Sequence, residues 1–147
     1  MTMGERNKSG LRVKSWLVML VEDDSTIRAL YGAALREEGF YVDEVVSVDE
    51  AIEVATRLRP DAIILDRHLT DGDGWDVAKQ LKAADATRAI PIIAFTAHHQ
   101  RDDVESALVA GCDSFVAKPC QPLTLVRHVK GVLGIPQPDL KLVNRSS

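Results

Sequence analysis

The chain is poor in cysteine, in long apolar runs and in positive charge over its central part, and each shortage narrows what it can be. Its two cysteines, Cys112 and Cys120, stand eight positions apart. That spacing fits no common metal or redox motif, so free thiols in a reducing cytoplasm are expected. The apolar run at 16–21, WLVMLV, stops after six residues at three acids. It is too short for a signal-peptide core or a bilayer span, and no membrane insertion is expected. The formal net charge is −4 and is unevenly spread. Residues 1–15 carry a net +3, from Arg6, Lys8, Arg12 and Lys14 against Glu5, and residues 136–147 carry a net +1. The intervening 16–135 therefore holds −8, which argues against direct binding of nucleic acid by the folded part. There is no internal repeat and no low-complexity segment. A chain of 147 residues is enough for one domain with a proper core and too short for two.

What is present is an alternation. Polar residues 1–15, with Gly4, Ser9 and Gly10, are expected to form a flexible N-terminal tail, and 136–147 a short C-terminal one. Between them, the run at 16–21 reads as a strand. Ser25 is expected to cap a helix with Ile27, Leu30, Tyr31, Ala34 and Leu35 at helical spacing, closed by Gly39. A half-polar strand at 41–46 precedes a helix capped by Ser47, with Val48, Ala51, Ile52 and Ala55 on one face and Pro60 at its end. AIILD (62–66) is a strand, and 74–84 is a helix turning Val77, Ala78 and Leu81 inward. The strand at 90–96 leads to a helix over 101–110 with Val104, Ala107 and Leu108 inward. A short strand at 114–118, Pro119 and a helix over 121–133 complete the series. This is βα five times. Near-continuous apolar strands joined by helices indicate an α/β fold, a parallel sheet covered on both faces. Right-handed crossovers bring every strand's carboxyl end to one edge, where ligands bind in such sheets.

The residues at that edge carry the chemistry. The first strand ends in Glu22, Asp23 and Asp24, the third in Asp66, the fourth in Thr96 and the fifth in Lys118. Clustered carboxylates repel, and a hard cation with oxygen ligands relieves them, for which Mg²⁺ is suited. A phosphoryl group needs fixed positive charge and donors, and Lys118 and Thr96 are of the right types. The combination points to phosphoryl transfer with a carboxylate as nucleophile, and Asp66, alone at the central strand end, is the candidate. Taken singly, Asp24 could be a helix cap, Thr96 a turn residue and Lys118 a surface lysine. Their convergence on one edge favours function.

These residues resemble the pattern of the receiver domains of bacterial two-component response regulators over about 16–135. The acid pair is Glu22 and Asp23, five before the basic Arg28, with Asp24 as an extra acid. Asp66 in IILD matches the phosphoacceptor, Asp73-Gly74 the downstream Asp-Gly, and Thr96 in AFTA the switch hydroxyl. Lys118-Pro119 matches the lysine motif, and Phe115, three before the lysine, matches the aromatic switch position. The resemblance implies a flavodoxin-like (βα)5 fold, a doubly wound five-stranded parallel sheet of order 2-1-3-4-5. It implies Mg²⁺ held by Asp23, Asp66 and the backbone carbonyl of His68, with Glu22 acting through water. It also implies that Asp66 accepts a phosphoryl group from a histidine kinase, a histidine phosphotransfer protein or a small phosphodonor. The face of the fourth helix, fifth strand and fifth helix would then carry the signal to a downstream partner through Thr96 and Phe115.

Departures from the pattern are Thr70, where the family often has proline, and Arg67 at a usually apolar position. His68 and His98 stand where the family tunes the lifetime of the phosphoryl group. Adjacent His98 and His99 are poorly placed to converge on one metal ion. Two rivals are a phosphatase of haloacid dehalogenase type, suggested by DRHLT, and a binding module without phosphorylation. The first lacks the second aspartate, because His68 stands there, and the second leaves the occupied chemical positions without a purpose. Nothing after Leu133 reads as an output domain, so the expectation is a stand-alone cytoplasmic regulator that docks on a partner, or the receiver of a hybrid histidine kinase.

Overall fold

The computed structural model describes residues 4–6, 12–97 and 101–137, with 4–6, 12–14 and 101 described by backbone alone. Five strands form one parallel sheet: β1 Leu17–Val21, β2 Tyr41–Val45, β3 Ala62–Leu65, β4 Ile92–Thr96 and β5 Ser114–Ala117. They alternate with five helices: α1 Ser25–Glu37, α2 Val48–Leu58, α3 Gly74–Ala83, α4 Arg101–Ala110 and α5 Pro122–Val132. The strand order is β2-β1-β3-β4-β5, the flavodoxin-like order that the resemblance implied.

Successive side chains of a strand point to opposite faces, and this builds two cores. Met19, Val21, Ile63, Leu65, Ile92 and Ala94 pack with buried residues of α2, α3 and α4. Val18, Leu20, Ile64, Ile93 and Phe95 pack on the other face with Tyr31, Leu35, Leu125 and Val129 of α1 and α5. All four residues of β3 are buried, so the central strand reads as an unbroken apolar run. The order reverses between β1 and β3, which opens a crevice at their carboxyl ends.

Several expectations shift at the ends and edges of elements. Asp24, not Ser25, caps α1, accepting from the backbone N–H groups of Thr26 and Ile27 at 2.9 and 3.0 Å. Ionised Asp is as good a cap as Ser, and here it also stands at a positive helix end. Ser47 caps α2 as expected, accepting from Glu50 N–H. Leu108, expected inward, and Leu30, which fits the helical spacing of α1, are each 52% exposed. Gly4–Arg6 pairs antiparallel with Arg12–Lys14 within the segment expected to be a tail. Among the described residues no helix is long and apolar enough to cross a membrane.

Candidate functional site

Asp66 follows the last residue of β3, and its N–H donates to the Val21 carbonyl at 3.1 Å. That bond extends the β1–β3 pairing by one step and seats Asp66 beside the end of β1. Glu22, next after β1, is tied in the same way to Val45 of β2 at 2.9 Å. Both carboxylates are thereby buried, Glu22 at 1% and Asp66 at 7% exposure. Glu22, Asp23 and Asp66 each place a carboxylate oxygen within 4.8 Å of the other two.

A buried carboxylate is costly unless something cationic meets it. Here the cation is Lys118, just past β5. Its Nζ lies 3.3 Å from Asp66 Oδ2 and donates to Glu22 Oε1. The Lys118 N–H donates to the Thr96 carbonyl at 2.9 Å, which ties the ends of β4 and β5 together. The following Lys118–Pro119 peptide is cis. Burial pushes the Glu22 carboxyl above its usual range, the bond and charge of Lys118 pull it back, and the Asp66 charge raises it again. Three carboxylates against one ammonium leave a surplus of negative charge. A small divalent cation with oxygen ligands answers that surplus, so the residues fit Mg²⁺.

The loops around the cluster are braced. Arg28 donates to the carbonyls of Glu22 and Asp23 at 2.9 and 3.3 Å and pairs with Glu44, which also meets Arg36. After Asp66 the chain makes a small ribbon, His68–Leu69 against Gly72–Asp73. The His68 N–H reaches Asp66 Oδ1 at 3.4 Å. Asp73 caps α3 at the Trp75 N–H and pairs with Arg67, whose guanidinium lies over the Trp75 ring and 3.7 Å from Asp103 of α4. Gly74 is required by proximity: a Cβ there would lie 2.0 Å from the Asp66 carbonyl oxygen.

Of the residues singled out in the sequence, Glu22, Asp23, Asp66 and Lys118 come together. Thr96 is 1% exposed at the end of β4, in register with Ala117, the neighbour of Lys118. Phe115 is half-buried in β5 opposite Ala94, against the core under α2, α3 and α4. His68 exposes its side chain, and His98 lies outside the described residues. Sequence reasoning missed the part played by Thr70, whose hydroxyl donates to Asp23 Oδ2 at 2.7 Å. The absent proline at that position was visible, but no local signal joins residues 47 positions apart.

Comparison with known proteins agrees with this geometry. The family model described as the response regulator receiver domain matches residues 18–130. The phosphate regulon transcriptional regulatory protein PhoB of Escherichia coli K12 is 34% identical over 116 residues, 79% of this chain and 51% of that protein. The chain thus spans about half the length of the curated relatives it matches. The receiver domain of sensor histidine kinase PA1611 from Pseudomonas aeruginosa PAO1, with a magnesium ion coordinated in its active-site cleft, is 33% identical. Its TM-score is 0.76 over 82% of this chain and 98% of that one. The signal receiver domain of a histidine kinase from Syntrophus aciditrophicus is 32% identical with a TM-score of 0.75, over 85% of this chain and 96% of that one.

Proposed function

The chain belongs to the response regulator receiver family, and on that premise we propose that it is a phosphorylation-activated switch of a two-component relay in which Asp66 takes the phosphoryl group. The observation that carries this reading is the grouping of Glu22, Asp23 and Asp66 with the Lys118 ammonium at 3.3 Å from Asp66. An Asp66 oxygen attacks phosphorus in a phosphohistidine of a histidine kinase or histidine phosphotransfer protein, the P–N bond breaks, and the imidazole leaves with that electron pair. Asp23, Asp66 and the His68 carbonyl, with Glu22 through water, would hold Mg²⁺, which would supply neutralisation of the developing negative charge. Lys118 gives a charge-assisted bond to one phosphoryl oxygen and the Thr96 hydroxyl donates to another.

The protein is a phosphoacceptor that promotes its own phosphorylation and dephosphorylation, not an enzyme turning over external substrate. Its receiver domain covers 16–135, between tails at 1–15 and 136–147, and it works in the cytoplasm without contacting nucleic acid directly. Movement of Thr96 toward the phosphoryl group vacates space into which Phe115 turns, and the α4–β5–α5 face changes for a downstream partner. Such a change shifts two existing states. The similarity to receiver domains of two histidine kinases supports a second setting for the same chemistry, as the receiver of a hybrid kinase.

Incubation with acetyl phosphate and Mg²⁺ tests the reading. One acid-labile phosphoryl group per chain is expected, and none on Asp66→Asn. Labelling of the variant as strong as the parent's, or steady turnover of phosphomonoesters, would overturn it.

A further inference from the structure

Lys118 meets Glu22 and Asp66, whereas the carboxylate of Asp23 is met by a hydroxyl, with Thr70 Oγ1 donating to Oδ2 at 2.7 Å. We infer that Thr70 is a positioning residue for the metal cluster: its hydroxyl fixes the Asp23 carboxylate so that it presents an oxygen to the space shared with Glu22 and Asp66. The inference rests on the proposed Mg²⁺ site and adds to it a residue outside the ligand set.

The turn that delivers this hydroxyl is held from three sides. His68 pairs with Asp73 and Leu69 with Gly72 across the ribbon. Asp71, the next residue, accepts the Val48 N–H with its two oxygens at 2.9 and 3.1 Å, which pins the turn to the start of α2. Gly72 lies close against Val48, where an added Cβ would be 3.1 Å from Cγ2. Thr70 therefore reaches Asp23 from a fixed turn. A hydrogen bond to one carboxylate oxygen leaves the other to ligate, and it limits rotation of the carboxylate away from its neighbours. Partners of this kind orient metal ligands, and removing one typically weakens binding by about 10–100-fold. Thr70 is exposed, so water competes for the bond and the lower end, about tenfold, is expected.

Mg²⁺ alone is the probe, titrated into the full chain and followed by amide chemical shifts. Thr70→Val keeps the shape and branching at Cβ but loses the hydroxyl, and Thr70→Ser keeps the hydroxyl. The Val variant should bind Mg²⁺ about tenfold more weakly, and the Ser variant close to the parent. Metal-free amide spectra report folding of each variant, and Thr70→Ala repeats the comparison without added apolar bulk. Val and Ala variants that bind as tightly as the parent, or more tightly, overturn the role of Thr70. So does a Ser variant weakened as much as the Val variant. Asp23→Asn separates the two readings: if it too binds like the parent, the cluster is not the Mg²⁺ site and both fail.

Discussion

Lys118 is the ammonium on which two buried carboxylates depend. Burial raises the Glu22 carboxyl above the usual value of 4.5, and the Lys118 bond and charge are what oppose that rise. A raised value in the fold means that the unfolded chain holds its proton less tightly than the folded one. The contribution to stability is then full below the ordinary carboxylate range and is lost as pH climbs through the raised value. Lys118→Ala removes the opposing influence, so the rise grows and the loss extends to higher pH. Near neutral pH the variant should lose about 3–5 kcal/mol, the usual cost of stripping one partner from a buried pair. The deficit should shrink as pH is lowered toward the carboxylate range, because protonated Glu22 needs no cation. Urea unfolding of parent and variant across that range checks this, and a deficit that does not change with pH would contradict it.

At the scale of elements, the turn from β3 into α3 is the tightest joint in the site. Gly74→Ala would push a Cβ to 2.0 Å from the Asp66 carbonyl oxygen, against backbone that cannot step aside without moving Asp66 itself. The expected cost lies at or above the top of the ~1–3 kcal/mol that overpacking brings, together with slower phosphorylation of Asp66. A variant with parental stability and parental rate would show that the joint is looser than described. The sequence showed Asp73-Gly74 as a motif, but the reason for the glycine is a contact visible only once β3 and α3 are packed. The five βα units were legible because strands buried on both faces leave continuous apolar runs and the helices keep their 3.6-residue spacing. Less was legible at margins. Leu30 and Leu108 fit the helical spacing yet are exposed, since spacing marks a stripe but not its edges. Asp24 and Ser25 are both good cap residues by type, and only the backbone geometry assigns the cap to Asp24. The rim of acids, hydroxyl and lysine was legible because topology alone brings strand ends together. The Thr70–Asp23 bond was not, because it joins two loops whose relation exists only in the assembled fold.

For the molecule as a whole, the metal and the fold are linked. A cation that binds the cluster in the folded state stabilises the chain by mass action, about 2.7 kcal/mol at a hundredfold excess over Kd. Mg²⁺ should therefore shift the urea midpoint of the parent upward with concentration, without changing the slope. Asp23→Asn removes one charge from a repelling group, so metal-free stability should hold or rise while the Mg²⁺-dependent increment disappears. An equal increment in both proteins would place Mg²⁺ elsewhere.

The phosphoryl group is expected on Asp66. The most direct test is to treat the chain with acetyl phosphate and Mg²⁺, reduce the product with borohydride, and sequence the peptides by mass spectrometry. Borohydride converts an aspartyl phosphate to homoserine with release of phosphate, and so marks the acceptor permanently. Homoserine at position 66 and unchanged aspartate at 23, 24 and 73 are expected. Homoserine at any of those three, with Asp66 intact, would contradict Asp66 as the acceptor.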